Sequence, residues 1–247
     1  MSNFKFVFKE HDEGGLNTLT AIAQTHRFNK WMYEAVRPYL KGEVLEIGSG
    51  IGNITQYAAD DHFSITASDI RETYCQVLKK RFATHPCLKA VKNVDIAHPQ
   101  FENVYNDLLQ SFDCVFALNA IEHIEQHEQA VVNCRKLLRS NGRLIILVPA
   151  FQSLYNSFDK ELQHFRRYSK SSLEQLLSTS GFTILHTKYF NVAGVFGWWF
   201  SGNLLKNKIL PAGQLSLFNR LVPVFEVADT LVGKRIGLSV ISVGEKM

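Results

Sequence analysis

Three glycines at alternating positions follow a short apolar run in VLEIGSGIGN, which spans residues 44–53. Gly48, Gly50 and Gly52 have no Cβ, so the backbone can turn sharply there and a ligand can approach the main chain. Glu46 lies two residues before the first glycine. The pattern predicts a ligand-binding turn after a β-strand, with a carboxylate beside it.

Two further acids and an amide lie at the ends of later apolar segments. Asp69 ends ITASD, Asp95 is the acid of NVDI, and Asn119 ends FDCVFALN. Ligands of open α/β sheets bind at the carboxyl ends of the strands, so we expect these residues near the glycine turn. A tight turn or a solvated carboxylate would explain each feature alone, but the ordered set favours one ligand site.

The glycine spacing differs from the dinucleotide fingerprint G-x-G-x-x-G, because Asn53 stands at the third glycine position. A pyrophosphate prefers a helix N-terminus without nearby negative charge, and Glu46 opposes it. S-adenosylmethionine is a cationic ligand without phosphates, and a strand-end acid such as Asp69 can accept both ribose hydroxyls. We predict this ligand, with Asp95 hydrogen-bonding the adenine and Ile96 packing against it.

These segments resemble the motifs of the class I S-adenosylmethionine-dependent methyltransferases, over residues 40–181. VLEIGSGIGN is similar to the family's glycine motif, ITASDI to its second motif, NVDI to its adenine segment and FDCVFALNAIEHI to its fourth-strand motif. The resemblance implies S-adenosylmethionine as methyl donor and S-adenosylhomocysteine as product, and it leaves the acceptor unspecified. The predicted cofactor-binding residues are Glu46, Gly48, Gly50, Gly52, Asp69, Ile70, Asp95, Ile96 and Asn119.

The segment SLYNSFDKELQHFRRYSK, residues 153–170, is long for a connection, and long loops in compact domains are often functional. His164 is a candidate general base that Asp159 would orient. An arginine here can bind a carboxylate or phosphate in bidentate fashion. The predicted substrate-binding residues of the segment are Tyr155, Arg166, Arg167 and Tyr168. The alternative is a solvated basic turn in which Asp159 pairs with an arginine.

His123 and His127 are spaced i, i+4 after the fourth predicted strand, as a pair of metal ligands on a helix would be. No further ligand is evident nearby, and the pattern is not H-E-x-x-H. Histidine pairs on a helix are usually surface or core residues, so we expect no metal. His123 is a second candidate catalytic residue, with a structural role as the alternative.

Residues 190–237 separate the last two predicted strands, which form a hairpin in the family that the chain resembles. Apolar residues recur at helical spacing after Phe218, with Pro223 as an interruption. Trp198 and Trp199 are adjacent, so they cannot both face one core. We expect a helical lid that covers the cleft and supplies both tryptophans to the acceptor. Packing on the sheet and docking on a membrane surface are the alternatives.

The order of elements predicts an α/β fold, a doubly wound, mainly parallel seven-stranded sheet with helices on both faces. A helical insertion lies between the last two strands. The predicted strands are residues 43–47, 64–68, 88–91, 113–118, 143–150, 182–189 and 238–243. The predicted helices are residues 25–40, 53–59, 72–81, 101–109, 127–139 and 171–180, the last opened by a Ser171–Glu174 capping box. We expect one domain over residues 1–247, with an N-terminal helical segment at 1–40 and the lid at 190–237.

Composition narrows the class of protein. The chain is 46% hydrophobic and 20% charged with a formal net charge of +4, which is typical of a globular protein. No run of Lys and Arg suggests a basic arm, so we expect no nucleic-acid partner. Its four cysteines show no CxxC spacing, which favours a reducing cytoplasm. The longest strongly apolar run, residues 192–200, is too short for a transmembrane helix.

These observations predict methyl transfer from S-adenosylmethionine to oxygen of a small or lipid-like acceptor that bears an anionic group. Peripheral contact with a membrane and the oligomeric state are left open. The alternatives are a nitrogen or carbon acceptor, and a protein that binds S-adenosylmethionine without transferring its methyl group.

Overall fold

A seven-stranded sheet forms the centre of the molecule, in the order β3-β2-β1-β4-β5-β7-β6. The computed structural model describes residues 13–200 and 212–247. The strands are β1 (Glu43–Ile47), β2 (Ser64–Asp69), β3 (Leu88–Asn93), β4 (Phe112–Leu118), β5 (Leu138–Pro149), β6 (Phe182–Phe190) and β7 (Ser239–Lys246). β1 to β5 pair with one another in parallel, and β7 is antiparallel to both β5 and β6. The predicted mainly parallel seven-stranded sheet is confirmed.

Helices connect the strands along the chain. They are α1 (Glu13–Ala23), α2 (His26–Val36), α3 (Thr55–Asp60), α4 (Glu72–Arg81), α5 (Phe101–Val104), α6 (His127–Leu137), α7 (Ser157–Glu161), α8 (Lys170–Thr179), α9 (Val192–Trp199) and α10 (Ala212–Leu231). The last two lie between β6 and β7, which pair directly from Phe182 opposite Lys246 to Phe190 opposite Ser239.

The central strands are buried on both faces, which explains their continuous apolar sequences. Adjacent side chains of β1 point to opposite faces, so Val44 belongs to the apolar cluster beneath α2 and α10. Leu45 belongs to the cluster beneath α6 and α8. Cys114 and Cys134 are fully buried, one in each cluster, as expected for core thiols.

Several predicted boundaries differ from the structure. α8 begins earlier than predicted, because Ser169 accepts a hydrogen bond from the Ser172 backbone and Ser172 bonds back, which completes a capping box two residues upstream. β5 begins directly after α6, at Leu138, so residues 138–139 are strand instead of helix. α10 continues through Pro223, which is exposed and does not interrupt the helix.

The parallel strands end at one edge of the sheet, and this edge positions the candidate site. The glycine turn follows β1, Asp69 ends β2, and Asn119 follows β4. Among the helices within residues 13–200 and 212–247, none is long and apolar enough to span a bilayer.

Candidate functional site

The glycine turn leaves β1 in a backbone conformation that favours glycine. Gly48 has φ +74° and Gly50 has φ +54°, both in the left-handed region. A Cβ on Gly48 would lie 2.8 Å from the Cβ of Ala120, in the segment after β4. The turn therefore packs directly against the start of the Ala120 segment, and a side chain there would force the two apart.

Helix α1 covers the glycine turn. A Cβ on Gly50 would lie 3.0 Å from Cδ1 of Leu19, and Asn53 donates its side-chain amide to the Leu19 carbonyl at 3.0 Å. Sequence reasoning did not include Leu19 in the site. The contact joins segments far apart in the chain, and no motif around Leu19 indicates it.

Asp69 links the second strand to the glycine turn. Its Oδ2 accepts the backbone N–H of Gly50 at 2.9 Å, and its Oδ1 accepts the N–H of Arg71 at 2.9 Å. The residue is 5% exposed, and burial raises the pKa of its carboxyl group despite these bonds. Ile70, the next predicted cofactor residue, is partly buried. The two carboxylate oxygens keep further lone pairs for a ligand.

Glu46 lies inside the protein rather than on the open side of the turn. It is 3% exposed, and its carboxylate accepts the hydroxyl of Thr55, the first residue of α3, at 2.5 Å. Burial raises the pKa of Glu46 to about 7, even though that hydroxyl stabilises the anion. A negative charge on Glu46 therefore acts on the turn from within the fold.

The remaining predicted cofactor residues lie along the same edge. Asp95 is partly buried, and its Oδ1 accepts the N–H of Ala97 at 3.0 Å. Ile96 is 4% exposed and belongs to the core beneath α6 and α8. Asn119 has φ +51°, is exposed, and donates its amide to the Met32 sulfur at 3.9 Å. Met32 of α2 is a neighbour that sequence reasoning missed.

The long loop after β5 is organised around Asp159. This side chain is fully buried, and its Oδ1 accepts Nδ1–H of His164 and Nε–H of Arg167, each at 2.8 Å. Its Oδ2 accepts the N–H of Asn156 at 2.9 Å. Asn156 is the N-cap of α7, and this bond is part of its capping box. Burial would raise the pKa of Asp159, but the hydrogen bonds from His164 and Arg167 outweigh it and lower the pKa.

Both arginines of the predicted acceptor grip bind the protein itself. Arg167 is 6% exposed and donates to the Ala150 carbonyl at 3.1 Å as well as to Asp159. Arg166 donates to the carbonyls of Ile124 and Glu125, both at 2.9 Å. These bonds anchor the loop to the segment after β4. The pairing of Asp159 with an arginine, part of the alternative interpretation, is present, but the pair is buried instead of solvated. Nε and Nη1 of Arg167 are engaged by Asp159 and Ala150.

The two tyrosines of the loop also form hydrogen bonds within the protein. Tyr155 donates its hydroxyl to the His164 carbonyl at 2.7 Å. Tyr168 is 3% exposed, and its hydroxyl lies 2.9 Å from Nδ1 of His127. His127 therefore contacts Tyr168. It does not belong to the cluster around His123, the other histidine of the i, i+4 pair.

Helix α9 brings one tryptophan onto this loop and leaves the other outside. The Trp198 ring lies 4.7 Å from the Arg167 guanidinium carbon and 5.0 Å from the Phe158 ring. Trp199 is 50% exposed. Trp198 therefore covers the buried Asp159–Arg167 pair, and Trp199 faces away from it.

Glu122, His123 and His164 meet beside this loop. One ligand-type atom from each side chain lies within 4.8 Å of the other two, and the imidazole centroids are 4.6 Å apart, edge to face. Glu122 is fully buried and His164 is 8% exposed. Burial raises the pKa of Glu122 to about 7 and lowers the pKa of His123. Sequence reasoning missed Glu122, although an acid between apolar residues in AIEHI was a signal.

This sheet order, a glycine turn after β1 and an acid ending β2 define the class I, Rossmann-like methyltransferase fold. A model of the methyltransferase domain matches residues 45–144. Residues 45–144 therefore match a methyltransferase domain, and the fold is that of the S-adenosylmethionine-dependent methyltransferases.

Among curated relatives, a non-reducing polyketide synthase of Aspergillus novofumigatus is 30% identical over 113 residues, which cover 42% of this chain and 5% of the synthase. The mitochondrial ubiquinone biosynthesis O-methyltransferase of Schizosaccharomyces pombe is 28% identical over 104 residues, 42% of this chain and 36% of that protein. The chain thus spans only a small part of these relatives.

A phosphoethanolamine N-methyltransferase 2 of Haemonchus contortus, solved with phosphomonomethylethanolamine and S-adenosylhomocysteine, superposes with a TM-score of 0.63. The match covers 98% of this chain and 61% of that one at 15% identity. This likeness concerns the fold.

Proposed function

We propose that the protein transfers a methyl group from S-adenosylmethionine to oxygen of a small or lipid-like acceptor that carries an anionic group. The observation that supports it most is the bond from the Gly50 N–H to Asp69, which joins the glycine turn to a strand-end acid. In this family, such an arrangement serves the cofactor.

The residues at this edge fit S-adenosylmethionine. The Asp69 oxygens retain lone pairs for the two ribose hydroxyls, and Glu46 contributes negative charge beneath a cationic ligand. Gly48, Gly50 and Gly52 line the turn, with Ile70, Asp95, Ile96 and Asn119 along the neighbouring strand ends. When bound, the cofactor supplies an electrophilic methyl group on sulfur. The protein's task is then to orient an acceptor atom in line with it, which proximity can largely achieve.

The acceptor side, in this proposal, is the cluster of His123 and His164. Asp159 accepts Nδ1–H of His164, so the second ring nitrogen, Nε2, carries the lone pair. His164 is therefore the general base in this proposal, with His123 beside it. Arg166, Arg167, Tyr155 and Tyr168 act as positioning residues that hold the loop, because their polar atoms already bind the protein.

We also propose that α9 and α10 act as a lid within a single domain. Asn156 donates to the Trp198 carbonyl at 3.5 Å, and the Trp198 ring covers Arg167. The cover therefore rests on the same loop that holds His164. Trp199 would meet an acceptor only if it is large enough to extend past α9.

The relatives support an oxygen or anionic acceptor in different ways. The Schizosaccharomyces pombe relative is an O-methyltransferase. The Haemonchus contortus enzyme was solved with a phosphate ester, and as an N-methyltransferase it also keeps nitrogen open as the alternative atom. A protein that binds the cofactor without transferring methyl is the second alternative, because the glycine turn alone does not require catalysis.

Methyl-labelled S-adenosylmethionine tests the proposal. The purified protein is incubated with phenols, carboxylates, phosphate monoesters and amines, and both S-adenosylhomocysteine release and label transfer are measured. We expect label on an oxygen acceptor. Gly50→Val should abolish transfer, while Gly213→Val, which adds the same side chain where nothing lies within 4 Å, should retain it. Tight cofactor binding without transfer to any acceptor or extract fraction would favour the non-catalytic alternative.

A further inference from the structure

Glu122 is a buried carboxyl group that lacks a counter-charge of its own. It is 0% exposed, and neither of its oxygens accepts a hydrogen bond from another described residue. Arg167 in the loop already donates to Asp159 and Ala150. A buried carboxylate without a partner is costly, and either a proton or a bound cation relieves that cost. Glu122 is therefore a buried carboxyl group with two oxygens available to a ligand.

One of the two histidines beside it has a ring nitrogen fixed by the protein. Nδ1 of His164 must carry a proton, because the Asp159 carboxylate 2.8 Å away can only accept. In the neutral ring, Nε2 of His164 therefore keeps a lone pair. The His123 ring packs edge to face against the His164 ring, with their centroids 4.6 Å apart.

This is the arrangement that metal ligands show in proteins. A ligating histidine almost always donates its other N–H to a carboxylate or a backbone carbonyl, which fixes its tautomer and orientation. Two histidines and one glutamate are a known ligand set for catalytic zinc, with a further position open to water or substrate.

We propose that Glu122, His123 and His164 form a three-ligand site for a divalent transition-metal ion. Their ligand-type atoms lie within 4.8 Å of one another, whereas atoms bound to one tetrahedral Zn²⁺ at ~2.1 Å lie about 3.4 Å apart. Binding would draw these atoms together by up to about 1.4 Å. The site differs from the His123–His127 pair in the sequence, since His127 bonds to Tyr168.

The location gives the ion a role in the proposed reaction, and this part of the inference rests on the proposed function. The Glu122–His123 segment begins just after Ala120, which packs against Gly48. An ion there would present its open position beside the cofactor turn and bind an oxygen-bearing, anionic acceptor. It would lower the pKa of an acceptor hydroxyl, whose proton would pass to solvent. The deprotonated oxygen would attack the methyl carbon of S-adenosylmethionine, and S-adenosylhomocysteine would leave. With the ion bound, His164 would serve as a ligand and not as the base. The ion would also supply positive charge to an anionic acceptor, since Arg166 and Arg167 already donate hydrogen bonds to the protein.

Metal titration tests the site without any assay of methyl transfer. Protein freed of metal by a chelator is titrated with Zn²⁺ by calorimetry, and Co²⁺ absorption spectra report the ligand geometry. We expect one ion per chain and a rise in melting temperature. Glu122→Gln and His164→Gln should each weaken Zn²⁺ binding by at least about 100-fold. Asp159→Asn weakens the support of His164 but also the bonds from Arg167 and Asn156, so its melting curve is compared with that of wild type. If it is folded, it should weaken Zn²⁺ binding by about 10- to 100-fold.

His127→Gln is the matched control, because it removes a nearby imidazole outside the cluster and should leave Zn²⁺ affinity unchanged. Glu122→Gln keeps the side-chain shape and removes a buried charge, so a melting curve should show a folded protein. Equal Zn²⁺ affinity in wild type, Glu122→Gln and His164→Gln would overturn the site, as would the absence of stoichiometric binding. S-adenosylhomocysteine binding to the metal-free protein is measured in parallel, so that loss of the metal proposal and loss of the cofactor proposal can be distinguished.

Discussion

Replacement of Asp69 by asparagine separates the role of its charge from that of its shape. In the structure, Oδ2 accepts from Gly50 and Oδ1 from Arg71, each at 2.9 Å. Asparagine keeps the size of the side chain, but one of its two polar atoms becomes an NH₂ group that cannot accept. Either a backbone N–H or a ribose hydroxyl must then lose its acceptor.

The size of the effect follows from these bonds. A hydrogen bond to a charged acceptor contributes about 1.5–3 kcal/mol, and each 1.4 kcal/mol is tenfold in affinity. We therefore expect Asp69→Asn to weaken S-adenosylhomocysteine binding by about 10- to 150-fold. The amide would also face a backbone donor, at a cost of about 1–3 kcal/mol in the unliganded protein. This should lower the melting temperature by roughly 2–4 °C per kcal/mol.

Isothermal titration calorimetry with S-adenosylhomocysteine measures the first effect, and thermal unfolding without ligand measures the second. Asp107→Asn is the control, since it makes the same chemical change on an exposed carboxylate that pairs with Lys92 at 2.8 Å. Such surface pairs contribute about 0–1 kcal/mol, and we expect no change in affinity. If Asp69→Asn binds as tightly as wild type, the ribose is not held by Asp69 and the cofactor site is misassigned.

Three other changes follow from the same structure. S-adenosylhomocysteine should raise the melting temperature, because a ligand that binds the folded state stabilises it. NAD should not, because the Glu46 carboxylate opposes a pyrophosphate. Stabilisation by NAD alone would indicate a dinucleotide-binding protein instead. Burial raises the pKa of the Glu46 carboxyl group to about 7 in the folded protein. The protonated side chain therefore stabilises the folded state below pH 4.5, and this contribution is lost as the pH rises through 7. Urea unfolding should therefore show Glu46→Gln gaining about 2–3 kcal/mol relative to wild type between pH 4.5 and 7, and a constant difference would contradict the buried carboxyl. Asp159→Ala should destabilise the protein by about 3–5 kcal/mol in denaturant unfolding, because it leaves the buried Arg167 charge without its partner; a loss below 1 kcal/mol would mean that Arg167 reaches water.

The strands were predictable because their signal is local. Alternate residues of a strand point to opposite faces, so the continuous apolar run in β4 or β5 could only be buried on both sides. The order of β-strands and helices along the chain then favoured one architecture. The capping serine of α8 was placed two residues too late, at Ser171 instead of Ser169, because a second serine pair, Ser169 and Ser172, satisfies a capping pattern.

The glycine turn was also predictable, since its need for positive φ is a property of the backbone itself. Its surroundings were not. Leu19 of α1 and Met32 of α2 reach the site through chain segments that carry no motif for it. A contact between distant segments leaves no periodic trace in either of them.

The sequence by itself thus determined the fold class and the edge at which a cofactor would bind, because hydrophobic periodicity and glycine conformation act within a few residues. The tertiary structure alone decided what the charged side chains do. Arg167 pairs with the buried Asp159 instead of facing an acceptor, and His164 lies beside Glu122. A charged group's role depends on whether it meets water or a buried partner, and folding brings that partner from another part of the chain.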